Sequence, residues 1–385
     1  MEDELFTLLR LGLGNSTLEQ ESISSLLLLN RQQWDRLHDL ACAQGVLAIV
    51  LDGLGCLVDN GAAIKTGLAT DQKLQWIGEA IQVEQANQQQ KAVMNNLAEK
   101  WSKNGCRVMV MKGQANGTFY PKPEHRSPGD IDCYLLPDNS HADITESTDK
   151  SSFRERQAEV YKLGNDIARE AGAEVDESWY KHSVINYKGE TFENHQFFVH
   201  TRDGKRGKTL EKELEETLEE LKDLKIKKLS DFVELPPVQW NAMFLTYHAC
   251  THFISEGLRL KQILDWAMFL KAHQDDVDWP QFYAFCERHH LRRFADAMTN
   301  IAVKYLGIEV TQIAQITTES PYSEKILHSA LYDDDYVFAT GSGWHNRWHL
   351  VKNLWRYRWK YRDIYQMSPL RQLWYYASGY LFKTE

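Results

Sequence analysis

Two aspartates at alternate positions, Asp130 and Asp132, stand at the start of an apolar run that ends at Leu136. An apolar run of this length is typical of a short buried strand. Side chains two positions apart project from one face of a strand, roughly 6 to 7 Å apart along it. Two such carboxylates repel each other unless a cation lies between them. The pair therefore predicts a divalent metal site of the kind that handles phosphates.

A second apolar run, Val108 to Met111, ends in Lys112-Gly113, and a loop with the cations Lys122 and Arg126 joins it to the aspartates. Basic side chains and backbone N–H groups are common ligands of a polyphosphate, so this loop is a candidate phosphate contact. Two structural alternatives remain: a lysine that ends its strand in solvent, and an ion pair between Arg126 and one of the aspartates.

These residues resemble the signature of an uncharacterised bacterial nucleotidyltransferase family within the DNA polymerase β-like superfamily. The resemblance rests on Lys112-Gly113, Tyr120, Arg126 and Gly129-Asp130-Ile131-Asp132. It covers roughly residues 75 to 275. It implies Mg²⁺ as the cofactor, with Mn²⁺ as a possible substitute, and an NTP as the donor. The nucleotide-binding residues that it implies in this part of the chain are Lys112, Gly113, Gln114, Arg126 and Gly129.

The superfamily takes a third carboxylate from a later strand of the same sheet. The resemblance assigns this role to Glu193, which stands in a Glu-x-His element with His195. Asp130, Asp132 and Glu193 are then the expected catalytic residues and metal ligands. Glu190 at a turn, Asp138 and Asp143 in a loop, and a site with only two acids are the alternatives.

Two histidines in the C-terminal part, His248 and His252, have the i, i+4 spacing of zinc ligands but lack an intervening Glu and a third ligand. If the helix continues through Gly257, they share a narrow polar stripe with Arg259. The resemblance implies that His248, His252 and Arg259 line the cleft and bind nucleotide. A polar seam between helices is the alternative.

Composition excludes several classes of protein. The chain has 385 residues, is 43% hydrophobic and carries a net charge of −10, so we expect neither a nucleic-acid coat nor sequence-specific DNA binding. The N-terminus lacks a basic signal region and no apolar run is long enough for stable membrane insertion, which predicts a cytoplasmic protein. The six scattered cysteines are typical of reduced thiols.

The elements that must position the candidate residues predict an α+β fold that is mainly helical overall, with a small mixed-sheet nucleotidyltransferase-like α/β domain flanked by helical regions. The predicted regions are an N-terminal helical region at 1–104, the catalytic domain at 105–200, a charged helical insertion or linker at 201–235 and a C-terminal helical domain at 236–385.

Local sequence patterns predict several helices and strands within these regions. A polar helix is predicted over Asp71–Lys103, with an apolar stripe that is broken only at Gln90. Two strands, Ser183–Tyr187 and Thr191–His200, form a predicted hairpin. The leucine spacing in Lys208–Lys228 predicts an exposed amphipathic helix whose charged face is solvated.

A basic and aromatic segment runs from Gly343 to Arg362 near the C-terminus. It is interpretable as a helix packed on the core, as a surface for RNA or a phosphorylated acceptor, or as an interfacial membrane helix.

The function predicted from these features is nucleotidyl transfer, Mg²⁺-dependent, from an NTP such as ATP to an unidentified acceptor that is a small molecule, a protein or RNA. One rival is a glycosyltransferase of the Asp-x-Asp type, which would need a nucleotide-binding βαβ region before the motif. The other is a nucleotide-binding regulatory or toxin-antitoxin protein without turnover.

Overall fold

The structure is a computed structural model. It describes residues 1–15, 20–59, 67–138, 152–199, 204–255, 257–311, 319–333 and 355–368, together with positions 352 and 370.

The elements follow the predicted order, with helices before and after a small sheet. The helices are α1 Glu2–Gly12, α2 Gln20–Leu27, α3 Arg31–Ala43, α4 Leu47–Asp59, α5 Thr70–Lys103, α6 Gln114–Gly117, α7 Phe153–Glu170, α8 Lys205–Leu221, α9 Val238–Ser255, α10 Leu260–His273, α11 Trp279–Arg288, α12 Arg292–Leu306 and α13 Ser323–Tyr332. The strands are β1 Cys106–Val110, β2 Ile131–Pro137, β3 Glu174–Asp176, β4 His182–Tyr187, β5 Glu190–His195 and β6 Val233–Glu234. This mainly helical α+β architecture with one mixed sheet confirms the predicted fold class.

The chain forms two compact units, each built from separate stretches of sequence. The first unit comprises Met1–Val46, Cys56–Gly67 and Ala242–Glu385, and the second comprises Leu47–Gly55 and Leu68–Asn241. All strands belong to the second unit. The domain boundaries predicted at residues 104, 200 and 235 stay predictions.

The six strands form one sheet in the order β3-β4-β5-β2-β1-β6. Strands β1 and β2 are antiparallel, β2 and β5 are parallel, and β4 and β5 form an antiparallel hairpin. The hairpin turn is Lys188-Gly189, where both residues have positive φ, 50° and 85°. Two successive positive φ values define the turn type that matches the strand twist, and the turn thereby fixes the hairpin register.

One face of the sheet carries the main core of the second unit. Its alternating apolar side chains pack against α5 and α7, and the buried cluster includes Met94, Leu97, Trp101, Val108, Val110, Ile131, Cys133, Leu135, Val160, Ile167, Ile185 and Phe192. The predicted helix over Asp71–Lys103 is thus confirmed, and the C-terminal half of its apolar stripe packs on the sheet. Helix α7 begins with a capping box, because Ser152 and Glu155 exchange hydrogen bonds between side chain and backbone.

The opposite face of the sheet is covered by aromatic side chains at the end remote from the start of β2. Tyr134 packs on Phe198 with ring centroids 4.4 Å apart, and Phe198 packs on Trp240 at 4.9 Å. The indole N–H of Trp240 donates to the Leu214 carbonyl of α8 at 3.0 Å. Helix α8 therefore belongs to the body of the second unit.

The predicted exposed helix over Lys208–Lys228 is wrong in its bounds and in its setting. Helix α8 begins and ends earlier, at Lys205 and Leu221, and Lys228 pairs with Glu234 in a β-bridge. Three leucines of α8 are buried, and Glu211 on the same side is buried as well. The charges on the other side suggested a solvated helix, but the leucine side of α8 faces the interior, where Trp240 donates to the Leu214 carbonyl.

The predicted hairpin is confirmed. Both strands begin one residue earlier than predicted, and β4 ends at Tyr187 as predicted. Strand β5 ends at His195, five residues before the predicted end. The short strands β3 and β6 were not predicted, because they have only 3 and 2 residues and lack an alternating pattern.

In the first unit, aromatic residues of α10 and α11 form the core. Trp266 stacks on Phe269 and Phe282, and its indole N–H donates to Thr299 of α12 at 3.1 Å. The six cysteines all lie in the described part of the chain and form no disulfide, and four of them are buried. Over the described residues, each helix is either too short or too polar to cross a membrane.

Candidate active site

Acidic and imidazole side chains meet on the face of the sheet opposite the main core. The parallel register of β2 and β5 pairs Asp132 with Glu193. The antiparallel register of β4 and β5 pairs His182 with His195. Because alternate residues share a face, these four side chains are neighbours on three adjacent strands. The sheet thus brings together the two predicted acids Asp132 and Glu193.

His195 lies at the centre of this group. Its Nε2 is 3.1 Å from Asp132 Oδ1 and 3.3 Å from Glu193 Oε2. Its Nδ1 is 3.2 Å from the Phe197 carbonyl oxygen. A carbonyl only accepts, so Nδ1 carries a hydrogen. Nε2 then faces two carboxylates, an arrangement that requires a cation at that point, either a proton or a metal ion.

His182 extends the group toward β4. Its Nε2 is 3.5 Å from Glu193 Oε1, and the centroids of the His182 and His195 rings are 5.0 Å apart. The pKa of His182 is lowered to about 4, chiefly by burial, which disfavours the charged imidazole. Burial, the largest single influence, raises the pKa of Glu193. The hydrogen bond with His195 and the charges of His195 and His182 together outweigh it, so the pKa of Glu193 lies below the usual value.

Two lysines supply positive charge beside the carboxylates. Lys112 Nζ lies 2.7 Å from Asp132 Oδ1, and the Lys112 side chain is only 15% exposed. The alternative of a lysine that ends its strand in solvent is therefore wrong. Lys181, at the entry to β4, is half-buried, and its pKa is lowered first by burial and then by the charge of Lys112.

Asp130 precedes β2 and is exposed, whereas Asp132 is 4% exposed. The backbone carbonyl of Asp130 lies near Gly113, 3.5 Å from the point that a Cβ would occupy there. Gly113 has φ 60° and ψ −111°, a conformation that residues with a Cβ avoid. The Lys-Gly motif and the aspartate motif are thus in contact through this glycine.

Three amide side chains fix the loop between β1 and β2 to α5. Gln114 Nε2 donates to Asn87 Oδ1 at 2.9 Å and to Gln90 Oε1 at 3.0 Å. Asn87 donates to the Arg126 carbonyl at 2.9 Å, and Gln90 donates to the Gly129 carbonyl at 2.6 Å. The interruption of the apolar stripe at Gln90 is therefore a buried hydrogen-bonding position. The amide nitrogen of Gln114 is held by α5.

Charged groups anchor the middle of the same loop. His125 Nδ1 is 2.6 Å from Asp52 of α4, and its Nε2 is 2.7 Å from Glu84 of α5. Lys122 also contacts Asp52, at 2.5 Å. Arg126 is buried, and its Nη1 donates to the Ser127 carbonyl at 3.3 Å. These anchors leave the loop little freedom next to the candidate site.

Glu211 of α8 holds the segment that follows His195. Its carboxylate accepts from the backbone N–H of Phe198 at 3.1 Å and of Val199 at 2.7 Å, and Arg154 lies 3.4 Å away. Burial raises the pKa of Glu211 to about 7. A buried acid in the charged segment 201–235 thus supports the chain next to His195 of the candidate site.

His248, His252 and Arg259 lie in the first unit. The prediction of one helix through Gly257 is wrong, because α9 ends at Ser255 and Arg259 is the N-cap of α10. The chain turns at Gly257, whose φ is 104° and whose N–H donates to the His252 carbonyl at 2.8 Å. His248 and His252 remain neighbours on α9, with ring centroids 4.4 Å apart.

The other predicted alternatives have separate locations. Glu190, next to the hairpin turn, accepts from Gln89 of α5 at 2.9 Å. Asp138 follows β2, and Asp143 lies outside the described residues. Most of Gly343–Arg362 also lies outside them. In its described part Trp355 is 65% exposed and Trp359 packs on Phe253.

Sequence reasoning missed Lys181 and His182 as site residues. A signal was present, because counting back from the Lys188-Gly189 turn places residue 182 opposite residue 195. The predicted strand begins one residue later, at Ser183, and therefore leaves out His182.

A mixed sheet with two acids on adjacent parallel strands and a Lys-Gly loop beside them suits a transferase that handles phosphates. A family model described as an uncharacterised nucleotidyltransferase matches residues 30–307. This is more than half of the chain, and the protein therefore belongs to that uncharacterised nucleotidyltransferase family. The resemblance drawn from the motifs is confirmed, and membership supports nucleotidyl transfer in general terms. Neither a curated protein nor a solved structure matches the chain.

Proposed function

We propose that the protein is a Mg²⁺-dependent nucleotidyltransferase that transfers NMP from an NTP to an acceptor and releases pyrophosphate. The observation that carries the proposal is the register of β2 and β5, which sets Asp132 beside Glu193. Family membership supports the same class of reaction. The acceptor is a small molecule, a protein or RNA, and the fold does not choose among them.

The donor set fits Mg²⁺. Asp130, Asp132 and Glu193 would hold it, since carboxylate oxygens are the ligands that this ion prefers. Asp132 already attracts Lys112 and His195, which supports a need for positive charge at this point. When bound, Mg²⁺ would neutralise phosphate charge and make an acceptor hydroxyl easier to deprotonate.

Side chains around the carboxylates would bind and orient the donor. Lys112 and Lys181 provide positive charge for the phosphates, and Lys112 can exchange its carboxylate partner for a phosphate oxygen without losing a charge pair. Gly113, Gln114, Arg126 and Gly129 would contribute through the fixed loop. Nucleotide binding by His248, His252 and Arg259 stays a prediction from the resemblance.

The glycosyltransferase alternative is less well supported. It needs a nucleotide-binding βαβ region before the Asp-x-Asp motif. The described residues ahead of β1 fold into α1 to α5 and contain no strand. A regulatory protein that binds nucleotide without turnover would use the same residues. Only an activity assay distinguishes it from a nucleotidyltransferase.

The test uses each NTP labelled on its α-phosphate, with Mg²⁺, in the presence of pure protein alone and with cell extract. We expect transfer of label to an acceptor, with release of pyrophosphate, and loss of transfer in Glu193→Gln. Glu190→Gln is the matched control, because the same change on the same strand removes an acid that contacts α5 instead. Turnover of a sugar nucleotide that depends on Asp130 and Asp132 would refute the proposal. Binding of an NTP without transfer in any extract would favour the regulatory alternative.

A further inference from the structure

The β4 and β5 side of the candidate site contains more nitrogen than a Mg²⁺ site needs. One donor atom each from His182, Glu193 and His195 lies within 4.8 Å of the other two. These residues come from two adjacent strands whose hairpin register is fixed by the turn at Lys188-Gly189. The three donor groups are therefore held together by the sheet.

The imidazole of His195 is oriented as a metal ligand is. In metal sites, a ligating histidine nearly always donates its other ring N–H to a carbonyl or carboxylate. Nδ1 of His195 makes this bond to the Phe197 carbonyl at 3.2 Å. Its Nε2, the atom that would bind a metal ion, therefore faces Glu193 and Asp132.

The separations suit a single ion. With metal–ligand bonds of about 2.0 to 2.1 Å, neighbouring ligands of one ion lie about 3.0 to 3.4 Å apart. His195 Nε2 and Glu193 Oε2 are 3.3 Å apart, and His182 Nε2 and Glu193 Oε1 are 3.5 Å apart. The donor atoms of His182 and His195 lie within 4.8 Å of each other, so side-chain rotation would have to bring the two imidazoles closer to share one ion.

The kind of donor decides the kind of ion. Mg²⁺ prefers oxygen ligands and gives up its water reluctantly, whereas imidazole suits zinc and its neighbours among the transition metals. Two histidines and one glutamate form a ligand set that catalytic zinc sites use. We infer that His182, Glu193 and His195 form a binding site for a divalent transition-metal ion of the zinc type, with Asp132 next to it as a fourth donor.

This inference extends beyond nucleotidyl transfer, because it concerns binding of the metal ion alone. Asp130 distinguishes the zinc-type site from the proposed Mg²⁺ site. It is a ligand in the proposed Mg²⁺ site but is not a member of the histidine cluster. Removal of its carboxylate should impair the Mg²⁺-dependent reaction and leave zinc binding nearly unchanged.

The first experiment is a titration of the full-length protein with Zn²⁺ in excess Mg²⁺ and without nucleotide. We expect one Zn²⁺ ion per chain. His182→Gln should weaken Zn²⁺ binding by at least about 10- to 100-fold. Removing a residue that only hydrogen-bonds to a metal ligand already has an effect of this size, and a ligand itself should matter at least as much. His328→Gln, which changes an exposed histidine of the first unit, and Asp130→Asn should both bind as the wild type does.

A second experiment needs no variant and so does not depend on how a substitution affects folding. In the protein loaded with Co²⁺ as a probe for zinc, proton NMR should show strongly shifted, solvent-exchangeable imidazole N–H signals. The signal from His195 should exchange slowly, because its Nδ1–H is bonded to Phe197. Shifted imidazole N–H signals from two histidines per chain, one of them slow to exchange, would support the site. Co²⁺ bound without imidazole signals, or no Zn²⁺ binding in excess Mg²⁺, would overturn it.

Discussion

The strand side of the candidate site and its loop side are held in place by different interactions. On the strand side, His182, Glu193 and His195 take their positions from backbone pairing in β4 and β5. On the loop side, residues 112–130 depend on side chains of α4 and α5, through the amides of Asn87 and Gln90 and the charges around His125. Backbone pairing fixes which residues face the site, whereas the loop depends on a few buried polar groups.

The largest effect is expected at Asp132, where the two sides meet. Asp132→Asn removes the acid that contacts both Lys112 and His195, and nucleotidyl transfer should fall at least about 100-fold, as when a single electrostatic contact in an active site is lost. Asp176→Asn, at an exposed position on β3, is the control in a transfer assay. Transfer within tenfold of the wild type in Asp132→Asn would place the chemistry elsewhere.

Gly113 tests how far the loop side depends on backbone conformation. Gly113→Ala should destabilise the fold by about 1 to 3 kcal/mol, because its backbone angles are poorly accessible to a residue with a Cβ. Gly78→Ala, in an open position on α5, should change the free energy of unfolding in the opposite direction and stabilise the fold by up to about 1 kcal/mol. Chemical unfolding of the two variants measures both values, and equal signs would contradict the role assigned to Gly113.

Gln90 tests the buried amide contacts. Gln90→Ala leaves the Gly129 carbonyl without its donor and should cost about 1 to 2 kcal/mol in the free energy of unfolding. Gln88→Ala is the matched control, since it makes the same change at an exposed position of the same helix. A change at Gln90 no larger than that at Gln88 would show that the loop is held by other contacts.

The smallest effect is a pH dependence at His125. The hydrogen bond to Asp52 raises the pKa of His125 in the folded protein, with a further contribution from Glu84. A raised folded pKa adds stability below the unfolded value of about 6.5, and this stability is lost as pH rises through the folded pKa. The stability difference between wild type and His125→Gln, on the order of 1 kcal/mol in acid, should shrink toward alkaline pH. Thermal unfolding of both proteins from acid to alkaline pH measures this difference. A stability difference that stays constant with pH would show that His125 does not take up a proton in the folded protein.

The strand side could largely be predicted from the sequence. Alternation places Glu193 and His195 on one face. His182 was missed, although the turn at Lys188-Gly189 implies a register that pairs it with His195. These rules depend only on local spacing. They also gave the long helix α5 and the hairpin itself.

The loop side could not be predicted in the same way. The role of Gln90 depends on a carbonyl 39 positions later, and the role of His125 depends on Asp52 and Glu84. Long-range polar contacts of this kind leave no periodic pattern. The end of helix α9 before Gly257, in contrast, has a local signal, because glycine is common just after the end of a helix. The predicted continuous helix ignored this signal.

The position of β6 in the sheet limits how the chain can be shortened. Strand β6 lies more than a hundred residues after β1 and pairs with it on its outer side. A fragment that ended near residue 200 would leave β1 as a bare sheet edge, with unpaired backbone groups that invite aggregation. It would also lose the Trp240 indole and α8, which cover Phe198. An expression fragment that keeps both β6 and Trp240 has to extend to about residue 241, the end of the second unit.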